Sequence, residues 1–166
     1  KLFPRKELKD AAKLGFGAIV VDPQYGGSGM SRLESSIIFE SLSYGCVSTT
    51  AYLTIHNMCA WILDKYGTIE QKELWLPSIS NMSLMTSYCL TEPGSGSDAA
   101  SLSTSAIINP FDDRQYLLNG TKAFISGGGN SDLYFVMAKA PEGITCFLVP
   151  KDSPGLSFGK QEEKMG

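Results

Sequence analysis

Residues 88–98, YCLTEPGSGSD, gather the side chains best suited to holding a ligand. Gly94 and Gly96 carry no Cβ, so a ligand or a second backbone can come close. Ser95 and Ser97 add hydroxyl donors to the backbone amides between them, which is the chemistry of a phosphate-binding turn. Pro93 stiffens the entry. Glu92 reads as a structural member of the turn. Asp98 would repel a phosphate, and is expected to hydrogen-bond the backbone of its own turn. The same alternation of glycine and serine is also linker composition, so a plain connecting loop stays open on spacing alone. Gly94-x-Gly96-x-x-Ala99 formally fits a dinucleotide fingerprint. The residues after it, SLSTSAII, are too rich in serine and β-branched side chains to open a helix, and no βαβ unit surrounds them.

Elsewhere the reactive side chains are sparse. His56 is the single histidine, so a metal site needing two is excluded within these residues, and a Ser-His-Asp triad would have to use His56. It lies in an apolar stretch beside Asn57 and reads as a core histidine with a hydrogen-bond partner. The four cysteines, Cys46, Cys59, Cys89 and Cys146, are widely spaced, and three sit in apolar runs. Buried free thiols in a reducing compartment are expected, not a disulfide framework or a thiolate zinc site. The chain is 43% hydrophobic and 19% charged with a net charge of −3, a globular profile without a basic footprint for nucleic acid or an anionic membrane. Its apolar runs, 15–21 and 58–63, are far too short to span a bilayer.

The elements that position the glycine-rich loop divide near Asn81. Before it the pattern is helical. Pro4 suits a helix start and Gly15 a helix end. The run 15–21 leads into a turn-rich loop. Ser31 and Glu34 form a capping box ahead of Leu33, Ile37, Ile38 and Leu42 on one face, with Gly45 closing that helix. Residues 48–66 are apolar nearly all round, which predicts a helix buried between layers, with Trp61, Tyr66 and the later Trp75 as core. Thr68 and Gln71 form a second capping box, and the helix after it is expected to stop at Pro77. From Met82 onward the runs LMTSYCL, ASLSTSAII, QYLLNGTKAFI, DLYFVMAKA, GITCFLVP and GLSF read as short strands. Asn119-Gly120 predicts a tight hairpin turn. Asp112, Asp113 and Arg114 read as a solvated tip. The prediction is an α+β chain: an all-helical domain over 1–81, then an antiparallel, barrel-like β domain over 82–166.

The segments YCLTEPGSGSDAASL and LNGTKAFISGGGNSD, with GGSGMSRLESSIIFESL and STTAYLTIHNMCAW upstream, resemble the flavin-dependent acyl-CoA dehydrogenases. The resemblance covers essentially the whole chain. It implies an N-terminal helical domain, a middle β domain, and a C-terminal four-helix domain that lies outside these 166 residues. The chain therefore reads as a piece of a longer protein, without the family's catalytic glutamate, which is expected beyond Gly166.

The resemblance implies FAD as cofactor. Its binding run would be Tyr88, Cys89, Leu90, Thr91, Glu92, Pro93, Gly94, Ser95, Gly96 and Ser97. The Thr91 hydroxyl would reach the N1/O2 edge of the flavin. Ser97 would sit where the cofactor pyrophosphate meets the substrate thioester. Phe124, Ile125 and Ser126 would line the other side, with the Ser126 hydroxyl near N5. No metal is implied. Also implied are α,β-dehydrogenation of an acyl-CoA, here of a short branched chain, and electron delivery to an electron-transfer flavoprotein. A homotetramer in the mitochondrial matrix is the implied setting. A different chain-length preference, or a fragment that does not bind flavin, are the alternatives on sequence alone.

Overall fold

The computed structural model describes residues 3–162. Four helices precede five strands: α1 (Arg5–Lys13), α2 (Arg32–Ser43), α3 (Val47–Tyr66), α4 (Ile69–Ser80), β1 (Thr86–Cys89), β2 (Ser105–Asn109), β3 (Asp112–Asn119), β4 (Leu133–Ala140) and β5 (Gly143–Pro150). The order of helices then sheet is the one expected. Both capping boxes form. Ser31 and Glu34 exchange hydrogen bonds at the start of α2, and Thr68 and Gln71 do so at the start of α4. Each satisfies two backbone donors that a bare helix end would leave open.

Pro77 does not end α4, which runs on to Ser80. One intrahelical bond is lost at the proline. Full burial of Leu76 and Ile79 on either side of it holds the last turn in place. Helix α2 is also unlike its pattern. Leu33 and Ile37 are exposed, and only Ser35 of the helix is buried. Helix α3 buries one broad stripe, Thr50, Tyr52, Leu53, His56, Asn57, Cys59, Ala60 and Leu63, and is not enclosed all round. Trp61 and Trp75 are half-buried. Tyr66 is exposed and meets Trp61 edge-on at 5.8 Å, while the Arg32 guanidinium lies over Trp61. All four cysteines are free. Cys59 and Cys89 are buried, whereas Cys46 is exposed at the start of α3.

The sheet is mixed, not purely antiparallel. β4 is its centre. On one edge β5 pairs antiparallel along its whole length, Leu133↔Pro150 to Ala140↔Gly143. β1 pairs parallel with the first half of β4, Thr86↔Leu133 to Cys89↔Val136. β2 joins β4 in parallel at Ser105↔Lys139 and carries β3 antiparallel beyond it. The hairpin between β2 and β3 turns at Pro110-Phe111, where the Asn109 side chain accepts from the Phe111 amide at 3.0 Å. Asn119-Gly120 is not a hairpin turn. Gly120 is needed there because a Cβ would collide with Thr104, and the chain leaves the sheet at that point. Asp112 is the half-buried first residue of β3 and accepts from the Gln115 amide group at 3.1 Å, so it is not a solvated tip. The expectation for the side chains of Asp113 and Arg114 lies outside the described residues. GLSF forms no strand, and its Phe158 packs on Tyr134 at 5.3 Å.

Two apolar clusters tie helices to sheet. In one, Cys59, Ala60 and Leu63 of α3 and Leu76 and Ile79 of α4 pack with Leu133 and Phe135 of β4. In the other, Leu8, Tyr52 and Leu53 meet Met82 and Met85 ahead of β1. His56 lies between them, fully buried. Its Nε2 donates to the Ile79 carbonyl at 2.9 Å, and its Nδ1 accepts from the Thr86 amide at 3.1 Å. Both ring nitrogens are used by the neutral form, as expected of a core histidine.

Burial lowers the His56 pKa to about 4 from 6.5. The unfolded chain therefore binds a proton near pH 6.5 that the folded chain refuses. Stability is fully present above that pH and falls as pH drops toward 4, by about 2–3 kcal/mol between about 6.5 and 4.5. The ion-paired carboxylates Glu92 and Asp132 have depressed pKa values, so their contribution is lost only below their ordinary values of 4.5 and 3.8. Urea unfolding at about pH 7.5 and about pH 4.8 should show this loss, and His56→Gln should abolish the slope while lowering stability at both pH values.

Candidate functional site

β1 delivers the chain from the core into the glycine-rich loop. Thr86 and Ser87 are fully buried, Tyr88 is half-buried and Cys89 is buried. Burial pushes the Cys89 thiol up to about 12, so it is a packing group without thiolate character. After Leu90 and Thr91, both half-buried, the loop is closed by a reciprocal pair of hydrogen bonds between Glu92 and Ser95: the Glu92 amide donates to the Ser95 carbonyl at 2.9 Å, and the Ser95 amide donates to the Glu92 carbonyl at 3.1 Å. The Ser95 hydroxyl donates to the main-chain carbonyl of Asp98 at 2.7 Å. Asp98 thus serves its turn through its carbonyl, and not, as expected from sequence, through its side chain. Ala99–Ser101 form a single 3-10 turn, so no dinucleotide-type helix comes after the glycines.

Glu92 is buried, and its carboxylate is saturated. It accepts from the Ser103 amide at 2.6 Å and the Ser103 hydroxyl at 2.7 Å. It also accepts from the Thr104 amide at 2.9 Å, the Thr104 hydroxyl and, at 2.7 Å, the Lys122 ammonium. Desolvation acts to raise its pKa, but Lys122 and the two hydroxyls outweigh it and hold Glu92 well below the usual carboxylate range. It stays ionised and cannot take up a substrate proton. Lys122 also donates to the Leu90 carbonyl at 3.0 Å. Sequence reasoning misses Lys122, Ser103 and Thr104; the signal available is a glutamate inside an apolar-flanked loop, which demands a cation when buried.

Lys122 brings the second segment against the first. The Ala123 amide donates to the Thr91 carbonyl at 2.9 Å, so residues 122–126 run beside 90–92. Phe124 has a φ of 56° and is 71% exposed. A left-handed aromatic costs roughly 1–3 kcal/mol, and such strain gathers at ligand-holding sites. Ile125 is half-buried and Ser126 exposed. Gly127 has a φ of 79°, and a Cβ there would stand 2.5–2.8 Å from Tyr52, Ser131 and Ser87.

The hydroxyls divide into two sets. Those of Ser87, Ser95, Ser101, Ser103, Thr104 and Ser131 are bonded within the protein. Those of Thr91, Ser97 and Ser126 make no hydrogen bond among the described residues. Pro93, Gly94, Gly96 and Ser97 are exposed, and nothing lies within 4 Å of a Cβ built at Gly94 or Gly96. The protein itself does not require glycine at either position.

A rigid loop with unused donors, open glycines and a strained aromatic beside it thus marks the β half of the chain, which follows a helical half. Residues 1–83 match "Acyl-CoA dehydrogenase, N-terminal domain" and residues 87–166 match "Acyl-CoA dehydrogenase, middle domain", and the chain belongs to the acyl-CoA dehydrogenase family. It is 59% identical over 99% of its length to the mitochondrial isobutyryl-CoA dehydrogenase of Dictyostelium discoideum, and 55% identical over 100% to that of Bos taurus. It spans 40% of each of those proteins. The crystal structure of a glutaryl-CoA dehydrogenase from Mycobacterium smegmatis in complex with FADH2 superposes with a TM-score of 0.91 at 29% identity, over 98% of this chain and 42% of that one.

Lys122→Met should cost about 3–5 kcal/mol, because it strands a buried carboxylate. Adding Glu92→Gln should recover part of that loss. A double-mutant cycle read by chemical unfolding checks the coupling, and additive effects would separate the two residues.

Proposed function

We propose that these residues are the helical (1–81) and β (82–166) domains of an FAD-dependent acyl-CoA dehydrogenase. Its substrate is a short branched acyl-CoA such as isobutyryl-CoA, as in valine breakdown. The observation that carries this reading is the set of unpartnered hydroxyls, Thr91, Ser97 and Ser126, placed beside open glycines and the strained Phe124. The residues fit the cofactor: hydroxyl and amide donors for an anionic, ring-bearing group, and no Cβ in its way. The identity to isobutyryl-CoA dehydrogenases at 55–59% supports the branched short-chain substrate and a mitochondrial matrix setting. Electron-transfer flavoprotein as acceptor and a homotetrameric assembly are part of the same proposal.

When bound, FAD supplies a hydride acceptor. Tyr88 and Cys89 at the end of β1, with Leu90 just after it, would lie beneath the cofactor, and Glu92, Pro93 and Ser95 hold the turn. The Thr91 hydroxyl would be the donor at the flavin's N1/O2 edge, where a fixed donor to developing negative charge would lower the barrier. Ser97 would meet the pyrophosphate and thioester, and Phe124, Ile125 and Ser126 would wall the opposite side. Glu92 is excluded as base by its bonding, and the family resemblance implies that the α-proton would be taken by a glutamate beyond Gly166.

The test is bleaching of bound flavin by isobutyryl-CoA in the complete protein. Faster bleaching by a straight-chain acyl-CoA would overturn the substrate assignment, and a protein that ignores FAD would overturn the whole reading. Two variants sharpen it. Thr91→Ala should slow single-turnover flavin reduction by about 10²–10³-fold with FAD still bound. Gly96→Val should weaken FAD binding more than it lowers the melting temperature of the apoprotein, since no protein atom lies within 4 Å of a Cβ at that position.

A further inference from the structure

Beneath the Phe124–Ser126 wall lies a buried chain of hydroxyls that no part of the proposed chemistry uses. Tyr52 of α3 donates to the Thr86 carbonyl at 3.0 Å and lies 2.9 Å from the Ser131 hydroxyl. The hydroxyls of Ser131 and Ser87 are 2.8 Å apart. The Ser87 hydroxyl donates to the Ser126 carbonyl at 2.6 Å. Ser87 and Ser131 are fully buried and Tyr52 nearly so.

Counting protons assigns the roles. Three hydroxyls carry three protons, and four contacts need them. The two carbonyls at the ends accept only, so the Tyr52 proton is committed to Thr86 and the Ser87 proton to Ser126. The Ser131 proton can serve Tyr52 or Ser87, but not both. Removing Ser131 therefore leaves both carbonyls satisfied. Removing the Tyr52 hydroxyl orphans the Thr86 carbonyl inside the core, far along the chain from Ser126, and frees Ser131 to support Ser87. Only the loss of Ser87 unfastens Ser126.

We infer that Ser87, which precedes the cofactor-binding run and presents its hydroxyl to the Ser126 backbone from below, is a positioning residue for the Ser126 side of the flavin. The inference rests on the functional reading that sets Ser126 beside the flavin. No other hydrogen bond holds the peptide of Ser126 among the described residues; its neighbours are fixed at Ala123, by Thr91, and at Gly128, by Ile125. Gly127 comes directly after it and seats its backbone in the bowl formed by Tyr52, Ser87 and Ser131. A small displacement here turns the Ser126 hydroxyl away from its target, and misplacement by about 1 Å costs up to about 10²-fold in rate.

The experiment compares Ser87→Ala, Ser131→Ala and Tyr52→Phe in the complete FAD-loaded protein. Ser87→Ala should lower the rate of flavin reduction by isobutyryl-CoA about ten-fold at saturating substrate, change the visible circular dichroism of the bound flavin, and leave KM nearly unchanged. Without FAD, it should speed amide hydrogen exchange over residues 124–128. Tyr52→Phe should lower the melting temperature yet keep the reduction rate and dichroism within about two-fold of the parent. Ser131→Ala should resemble the parent in both flavin readouts. Ser87→Cys, which keeps a weak donor, should fall between parent and alanine variant. Parent-like dichroism, reduction and exchange in Ser87→Ala would overturn the inference, as would equal defects in all three variants. A parent protein that isobutyryl-CoA does not reduce would instead overturn the functional reading, and the inference with it.

Discussion

The structure turns on the backbone of one residue, Thr86. In the strand that leads to the glycine-rich loop, the Met85 carbonyl faces β4, where it accepts from the amides of Asp132 and Leu133. Thr86 faces the other way, toward no strand among the described residues. There its amide donates to His56 and its carbonyl accepts from Tyr52, two side chains one helical turn apart on α3. A sheet edge normally invites another strand. Here helix side chains take the hydrogen bonds of that edge at Thr86, so the helical half fixes the start of β1. An i, i+4 pair is the natural way to hold both backbone groups of one residue, because such residues lie one above the other on a single helix face.

From that anchor the rigidity passes outward through paired charge. Asp132, opposite the start of β1, accepts from the Met85 amide and forms a bidentate pair with Arg5, which also donates to the Asn130 carbonyl. At the other end of β1, Glu92 and Lys122 lock the loop to the second segment. Two ion pairs therefore bracket the strand, one partly exposed and one buried. Their value lies in geometry more than in net stability, since desolvation offsets much of the attraction in the buried pair. What they secure is the distance between residues 90–92 and 122–126.

Local devices are readable in the sequence and long-range ones are obscure. Both capping boxes, the strands β4 and β5, and the glycine-rich loop come from spacing that spans a few residues. Pro77 inside α4 misleads because the packing that overrides it comes from α3 and β4. Asn119-Gly120 is a strong turn signal, but the glycine answers to Thr104, which lies on a different segment. The parallel pairing of β1 with β4 is hidden because the connection that permits it is a long irregular loop plus a hairpin, without the helix that usually marks such a crossover. Leu33 and Ile37 illustrate the opposite limit: periodicity shows that a face is apolar, and does not show what covers it.

The candidate site is legible in part because its residues are named through resemblance, while the physical reason for each becomes visible only in three dimensions. Serine and threonine are interchangeable in a sequence reading, yet here they split by function. The hydroxyls of Ser95, Ser103 and Thr104 are spent on the turn and on Glu92. Those of Thr91, Ser97 and Ser126 are left over beside the same turn. A protein whose segment 120–132 served only to connect β3 with β4 would gain nothing from holding Phe124 in a left-handed conformation with its ring largely in solvent. The bonds of Lys122, Ala123 and Gly128 around it are strong enough to maintain that strain. Strain held in place by buried bonds, with spare donors on its open side, is the arrangement expected of a surface shaped for a group that the chain itself does not contain.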